Sequence, residues 1–209
     1  MSVRNVIFDF GGVLVRWKPR EIIASFYDDA SVHALIGQSI FQHVDWAEMD
    51  RGTLDEPAAT LRFAQRTGRP AAEITAFLQH VRESLTTVPE SIAILQDLSR
   101  RGVPLYGLSN MATDTFAWLR QRYDHWSLFK GIVISADIRM LKPERQIFEY
   151  IVGQHGLTPA ETVFIDDHAP NVEAARAMGF HTILFESPEQ CAALLHGHGL
   201  IEPQRPTSR

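Results

Sequence analysis

The stretch VIFDFGGVLV, Val6–Val15, decides how this chain is read. An apolar, β-branched run carries one acid, Asp9, and then breaks on Gly11 and Gly12. Such a run predicts a buried strand. A buried strand has no structural use for a lone carboxylate, because an unpaired charge is costly to take out of water. Asp9 is therefore either a cap for a following helix or a working group delivered to the end of a strand. The rest of the chain decides between the two.

Residues 16 to 87 contain no convincing strand. EIIASFY, SVHALIG, EPAATLRFAQRTG and AAEITAFLQHVRESL all carry the helical period. Gly68 and Pro70 punctuate one break, and Asp55-Glu56-Pro57 marks a helix start. From Pro89 the pattern alternates. Helix ESIAILQDLSRRG is followed by strand PLYGLS, helix TDTFAWLRQRY, strand GIVIS and helix PERQIFEYIVGQHG. Strand TVFID, helix NVEAARAMG, strand HTILF and helix SPEQCAALLHGHG complete it. Alternation of this kind predicts an α/β fold, with a parallel sheet covered by helices on both faces. The expected organisation is a Rossmann-like core over 1–15 and 88–200, an inserted α-helical cap over 16–87, and a loose polar tail over 201–209.

Composition narrows the function. Lys+Arg 20 against Asp+Glu 25 gives 20 − 25 = −5, without a basic cluster, which argues against nucleic acid as a partner. The early apolar run has an acid in its middle and no cleavage pattern, so it does not read as a secretory leader. No stretch is long and apolar enough for a bilayer. The single cysteine, Cys191, cannot form an internal disulfide. The expectation is a cytoplasmic protein acting on a small molecule, as a monomer or homodimer.

In open parallel sheets, ligands bind at the carboxyl ends of the strands. Those ends carry Asp9, then Ser109-Asn110, then Asp137 with Lys142-Pro143 close behind, then Asp166-Asp167 with Asn171 opening the next helix. Singly, each has an ordinary reading: Ser109-Asn110 as a helix N-cap, Lys142 as a solvated lysine. Together they converge on one sheet edge. Crowded carboxylates raise one another's pKa and call for a cation. All-oxygen donors favour Mg²⁺ over zinc. Lys142, Ser109 and Asn110 suit a phosphate, and a carboxylate beside a metal can be a nucleophile. His196 and His198 lack further ligand partners and read as surface, Trp17 and Trp46 as packing residues able to line a cleft.

The four motifs Asp9-Phe10-Gly11-Gly12-Val13, Leu108-Ser109-Asn110, Lys142-Pro143-Glu144 and FIDDHAPN (Phe164–Asn171) resemble, in this order, those of the haloacid dehalogenase superfamily. The fragment DRGTLD (Asp50–Asp55) and Gly11 look like its α-D-glucose-1-phosphate phosphatases. The first motif and the acidic pair look like the phosphatase domain of soluble epoxide hydrolase. The resemblance implies that Asp9 attacks phosphorus to form an aspartyl-phosphate. It implies that Ser109, Asn110 and Lys142 bind the phosphoryl group, with Lys142 also neutralising the nucleophile. Asp9, Asp167 and the Gly11 carbonyl would hold Mg²⁺, with Asp166 supporting or sharing it. Asp167 is the preferred ligand because Asn171, four residues on, then falls where the family has its next acid. The implied function is Mg²⁺-dependent hydrolysis of a small phosphomonoester, a sugar phosphate being favoured. The alternatives are a 2-haloacid dehalogenase, disfavoured by the second acid of the fourth motif, and a non-catalytic phosphometabolite-binding protein, disfavoured by retention of the other motif residues.

One position departs from the pattern. The phosphatases carry a general acid-base Asp two residues after the nucleophile, where this chain has Gly11. Such help is typically worth ~10²–10⁴-fold. Either the substrate has a good leaving group, such as an anomeric sugar hydroxyl, or another residue supplies the proton. His43, Asp45, Glu48, Asp50 and His168 are the candidates.

Overall fold

A computed structural model describes residues 2–202. Its centre is a parallel sheet of five strands: β1 (Asn5–Phe8), β2 (Leu105–Ser109), β3 (Gly131–Ile134), β4 (Thr162–Asp166) and β5 (His181–Leu184). The strand order is β3-β2-β1-β4-β5, with every neighbouring pair parallel. β1 is thus the middle strand, and the order reverses between β1 and β4. Strands covered on both faces need apolar residues at every position, which is why β1, β2 and β4 read as continuous apolar runs. Successive side chains serve opposite faces. Val6 and Phe8 enter one core with Leu95, Leu98 and Ile165, whereas Ile7 joins Phe148, Ile151 and Phe164 on the other.

The segment between β1 and β2 is helical, as its period predicts. It contains α1 (Pro19–Phe26), α2 (His33–Ile36), α3 (Val44–Arg51), α4 (Glu56–Thr67) and α5 (Ala71–Ser84), and α6 (Pro89–Arg100) leads back into the sheet. α1 to α5 bury a core of their own around Ile36, Ile40, Phe63 and Phe77. The chain leading into this block and the chain leaving it run side by side. The Arg16 amide donates to the Thr86 carbonyl at 2.7 Å and the Val88 amide to Leu14 at 2.9 Å. Beyond β2 come α7 (Thr113–Arg122), α8 (Ser135–Ile138), α9 (Arg145–His155), α10 (Ala169–Ala177) and α11 (Pro188–Gly197).

Several boundaries differ from expectation. SVHALIG is divided between a 3₁₀ turn at Ala30–Val32, the short α2 and a wider π turn at Gly37–Phe41. α3 has too few apolar positions for its period to stand out, and it is set by its ends: His43 accepts from the Asp45 amide at 3.1 Å, and Gly52 closes it at φ 74°. α9 starts at Arg145, so Lys142 and Pro143 stand in the preceding turn. Ile201, placed in the loose tail from the sequence, is buried in the core next to Leu200. Residues 203–209 of that tail lie outside the described residues. Among the described residues no helix is long and apolar enough to cross a membrane.

Phe10 anchors the turn that follows Asp9. Its ring lies 4.7 Å from Trp126, 5.6 Å from Phe116 and 5.7 Å from Phe129, between centroids. Gly107 on β2 makes room for it, since a Cβ there would sit 2.4 Å from the ring's Cζ. Phe10→Ala empties that position. It should lower the unfolding free energy by about 3–5 kcal/mol with an unchanged m value, read by urea titration.

Candidate active site

The reversal of strand order brings the first and fourth motifs together. Asp9 stands one residue beyond β1, Asp166 ends β4, and Asp167 follows it. One carboxylate oxygen from each of the three lies within 4.8 Å of the others. The Asp9 amide still donates to Ile165 at 2.9 Å, so the two strand ends are tied at the point where the acids emerge.

Lys142 fills the space beneath them. Its buried ammonium reaches Asp9 Oδ1 at 2.9 Å, Asp166 Oδ2 at 2.7 Å and the Leu108 carbonyl at 2.9 Å, three acceptors for three protons. Burial disfavours its charge, yet Asp9 and Asp166 overcome this and hold the amine protonated above its usual range. Asp9 shows the opposite balance. Burial pushes its carboxyl up to about 7, with the Asp166 and Asp167 charges adding to the rise and Lys142 resisting it. Asp167 is raised too, by burial first and by Asp166 second.

The two acids of the fourth motif differ in how far they are satisfied. Asp166 accepts from Lys142, from the His168 amide at 2.8 Å and from Asn171 Nδ2 at 3.0 and 3.1 Å. Asp167 keeps part of its surface in solvent while its carboxylate is partly covered where it lies against Gly12. Gly12 has φ 74°, and a Cβ there would come within 2.0 Å of Asp167 Oδ2. Both the backbone and the carboxylate exclude any larger residue. Gly11 is under neither constraint: its φ is not positive, and an added Cβ would meet only Trp17, at 3.7 Å from its Cβ.

Ser109 and Asn110 line the same cleft. The Asn110 side chain is occupied at both ends: Nδ2 donates to the Lys142 carbonyl and Oδ1 accepts from the Lys142 amide, each at 2.9 Å. It therefore fixes the backbone that carries the lysine. Asp137 is not brought in; it accepts from Thr113 Oγ1 at 2.5 Å on the surface.

Of the five acid-base candidates, two face the cleft, Asp50 and His168. Asp45 is buried in the helical block between Arg62, Arg66 and His43. Glu48 is bonded to Thr53. The cleft between block and sheet encloses about 1230 Å³. Its wall beside Gly11 is aromatic: Trp17, Phe41 and Trp46 pack at 4.7 to 5.7 Å between centroids.

An acidic triad on a lysine at the switch point of a parallel sheet, roofed by a helical block, defines a hydrolase class. The chain matches the haloacid dehalogenase-like hydrolase family over residues 3–179 and belongs to it. Among its relatives is the sesquiterpene phosphatase astK of Aspergillus oryzae, 32% identical over 178 residues, covering 85% of this chain and 87% of that one. The D-ribitol-5-phosphate phosphatase of Bacteroides thetaiotaomicron is 23% identical, over 86% of this chain and 90% of the relative. A HAD family enzyme of Bacteroides thetaiotaomicron, solved with magnesium and inorganic phosphate, has a similar fold. Its TM-score is 0.74 at 22% identity, covering 92% of this chain and 98% of that one.

The raised Asp9 carboxyl has a consequence for metal-free protein. Its folded pKa lies above the unfolded one, so the folded state holds the extra proton and loses stability as pH climbs from about 4 toward about 7. In EDTA, Asp9→Asn should melt above wild type at pH 8, and the difference should shrink by pH 5. Thermal denaturation across that range measures it.

Proposed function

We propose that this protein is a Mg²⁺-dependent phosphomonoester phosphatase working through an aspartyl-phosphate on Asp9. The observation that carries this reading is the juxtaposition of Asp9, Asp166 and Asp167 over the Lys142 ammonium. The carboxylates suit a hard divalent cation: all donors are oxygen, their mutual repulsion needs a positive charge, and Gly12 leaves the gap in which Asp167 sits. Asp9, Asp167 and the Gly11 carbonyl would hold the ion. Asp166, already accepting from Lys142, Asn171 and the His168 amide, orients the lysine instead. Bound Mg²⁺ supplies charge neutralisation for the nucleophile and the phosphoryl oxygens.

The chain's own groups then do the following. Lys142 holds the Asp9 carboxyl in place and opposes the rise of its pKa, and its charge opposes the negative charge of the transferring phosphoryl group. Ser109 offers a hydroxyl to that group, and Asn110 holds the Lys142 segment against it. Residues 16–87 act as the cap, roofing the cleft and contacting the alcohol part of the substrate. The name of the solved magnesium and phosphate complex supports the same ligands here.

The cleft wall bears on the substrate. A sugar phosphate presents hydroxyls that need polar partners, and Trp17, Phe41 and Trp46 beside the nucleophile offer apolar surface. An apolar alcohol, such as an isoprenoid, fits that wall better. The astK relative, named a sesquiterpene phosphatase, supports this choice; the D-ribitol-5-phosphate phosphatase supports a polar one.

Phosphate release should require Mg²⁺, stop on EDTA addition, and vanish in Asp9→Asn; release that persists in Asp9→Asn would refute the mechanism. Lys142→Ala should lower kcat by about 10²–10³-fold. In a panel assay, prenyl and long alkyl monophosphates should exceed hexose phosphates in kcat/KM by about tenfold or more. The reverse ranking would restore the sugar-phosphate reading.

A further inference from the structure

Gly11 brings no proton donor beside the nucleophile, although nothing in the backbone forbids a side chain there: φ is not positive and the nearest obstacle to a Cβ is Trp17. The donor must come from another part of the cleft. Trp17 packs on Trp46, with ring centroids 5.7 Å apart. Trp46 lies one helical turn before Asp50 on α3, and its indole N–H approaches the Asp50 carboxylate. That carboxylate is also approached by the backbone amide of Ala112, two residues beyond Asn110, and it feels the charge of Lys142. Asp50 thus stands beside the second motif, and the Trp17–Trp46 pair connects it to the vacancy at Gly11.

The end of α3 is fastened to the sheet domain at this residue and at the two that follow it. Ser135 Oγ donates to the Asp50 carbonyl while accepting from the Met111 amide at 2.9 Å. The Arg51 guanidinium holds Glu144 with both nitrogens, one at 3.0 Å. Gly52, at φ 74°, lets the chain pass so close to Ala136 that a Cβ would fall 2.4 Å from its carbonyl oxygen. These three contacts fix the backbone that carries Asp50 against the sheet domain, and its side chain lines the cleft that also holds Asp9 and Gly11.

Resting on the phosphatase reading above, we propose that Asp50, brought in from the helical block, is the general acid and base that Gly11 does not supply. In the first step an Asp9 oxygen bonds to phosphorus as the P–O bond to the alcohol breaks. The Asp50 carboxyl gives its proton to the departing oxygen, which leaves as the neutral alcohol. In the second step the Asp50 carboxylate takes a proton from the water that attacks phosphorus. The acyl-phosphate bond breaks, releasing inorganic phosphate and regenerating Asp9. Burial raises the Asp50 carboxyl to about 7, against the Ala112 amide and Lys142, which suits a group that must give and take a proton near neutrality.

The test is leaving-group dependence with rescue. Wild type, Asp50→Asn, Gly11→Asp and the double variant are assayed with Mg²⁺ on p-nitrophenyl phosphate and on octyl phosphate. Asp50→Asn should lose about 10²–10⁴-fold in kcat on octyl phosphate, whose alkoxide needs a proton. Its loss on p-nitrophenyl phosphate, whose phenolate leaves unaided, should be less than about tenfold. Gly11→Asp in the Asp50→Asn background should recover the octyl activity in large part. Equal losses on both substrates, no loss on either, or no recovery by Gly11→Asp in a variant with wild-type circular dichroism and melting temperature would overturn the assignment. Asp50→Glu provides a second variant should Asn disturb the α3 contact, and it should retain more octyl activity than Asp50→Asn. Failure of the phosphatase reading is separate: wild type would then release no phosphate from either ester, or Asp9→Asn would remain active.

Discussion

The ammonium of Lys142, held between Asp9 and Asp166, is the interaction on which the site depends. Three acids meeting at the ends of two adjacent strands would repel one another and drive themselves protonated. One buried cation with three acceptors counters that repulsion by bonding Asp9 and Asp166 at once. It also couples distant stretches of chain. The lysine stands in a turn before α9, its backbone is clasped by Asn110 after β2, and its head group ends between β1 and β4. The strand order β3-β2-β1-β4-β5 is what makes this reach possible, because it sets all three strands side by side.

The helical block adds what the sheet edge lacks. The sheet supplies three acids, a buried lysine and the Ser109 hydroxyl; the block supplies an aromatic wall and, through α3, the Asp50 carboxylate. The two are joined at the paired strands of linker around Leu14 and Thr86 and again at the Arg51–Glu144 corner. Asp45 shows how a residue can be chemically suitable and still be spent on structure: its carboxylate is fully used in binding Arg62 and Arg66 inside the block. The position of Asp50 at the corner, instead of inside the block, is what separates the two acids.

Much of this was legible in the chain itself. The strand ends announced themselves because a polar residue closing an apolar run stands out, and four in succession at the ends of parallel strands share one edge. The helical period marked α4 and α5, which bury a continuous stripe. α3 escaped because its apolar positions are few and its shape comes from caps at His43 and Gly52. The splitting of SVHALIG reflects tertiary packing against α1, which sequence period does not encode. Asn110 was readable as a polar strand-end residue, but its use as a clasp for Lys142 depends on a contact across the chain. The same holds for Ser135, which no motif marks and which nonetheless ties the second motif to Asp50.

Gly12 and Asp167 occupy what is nearly the same volume, since a Cβ on the first would overlap the carboxylate of the second. Two positions near opposite ends of the chain are therefore alternative tenants of one space. Mutational drift at either is conditional on the other: a side chain gained at 12 demands a retreat at 167, and with it the loss of an acid from the edge of the sheet. Laboratory evolution of this protein should find that pair frozen while Gly11, its immediate neighbour, stays free to vary, so adjacent residues in the same turn carry very different evolutionary latitude.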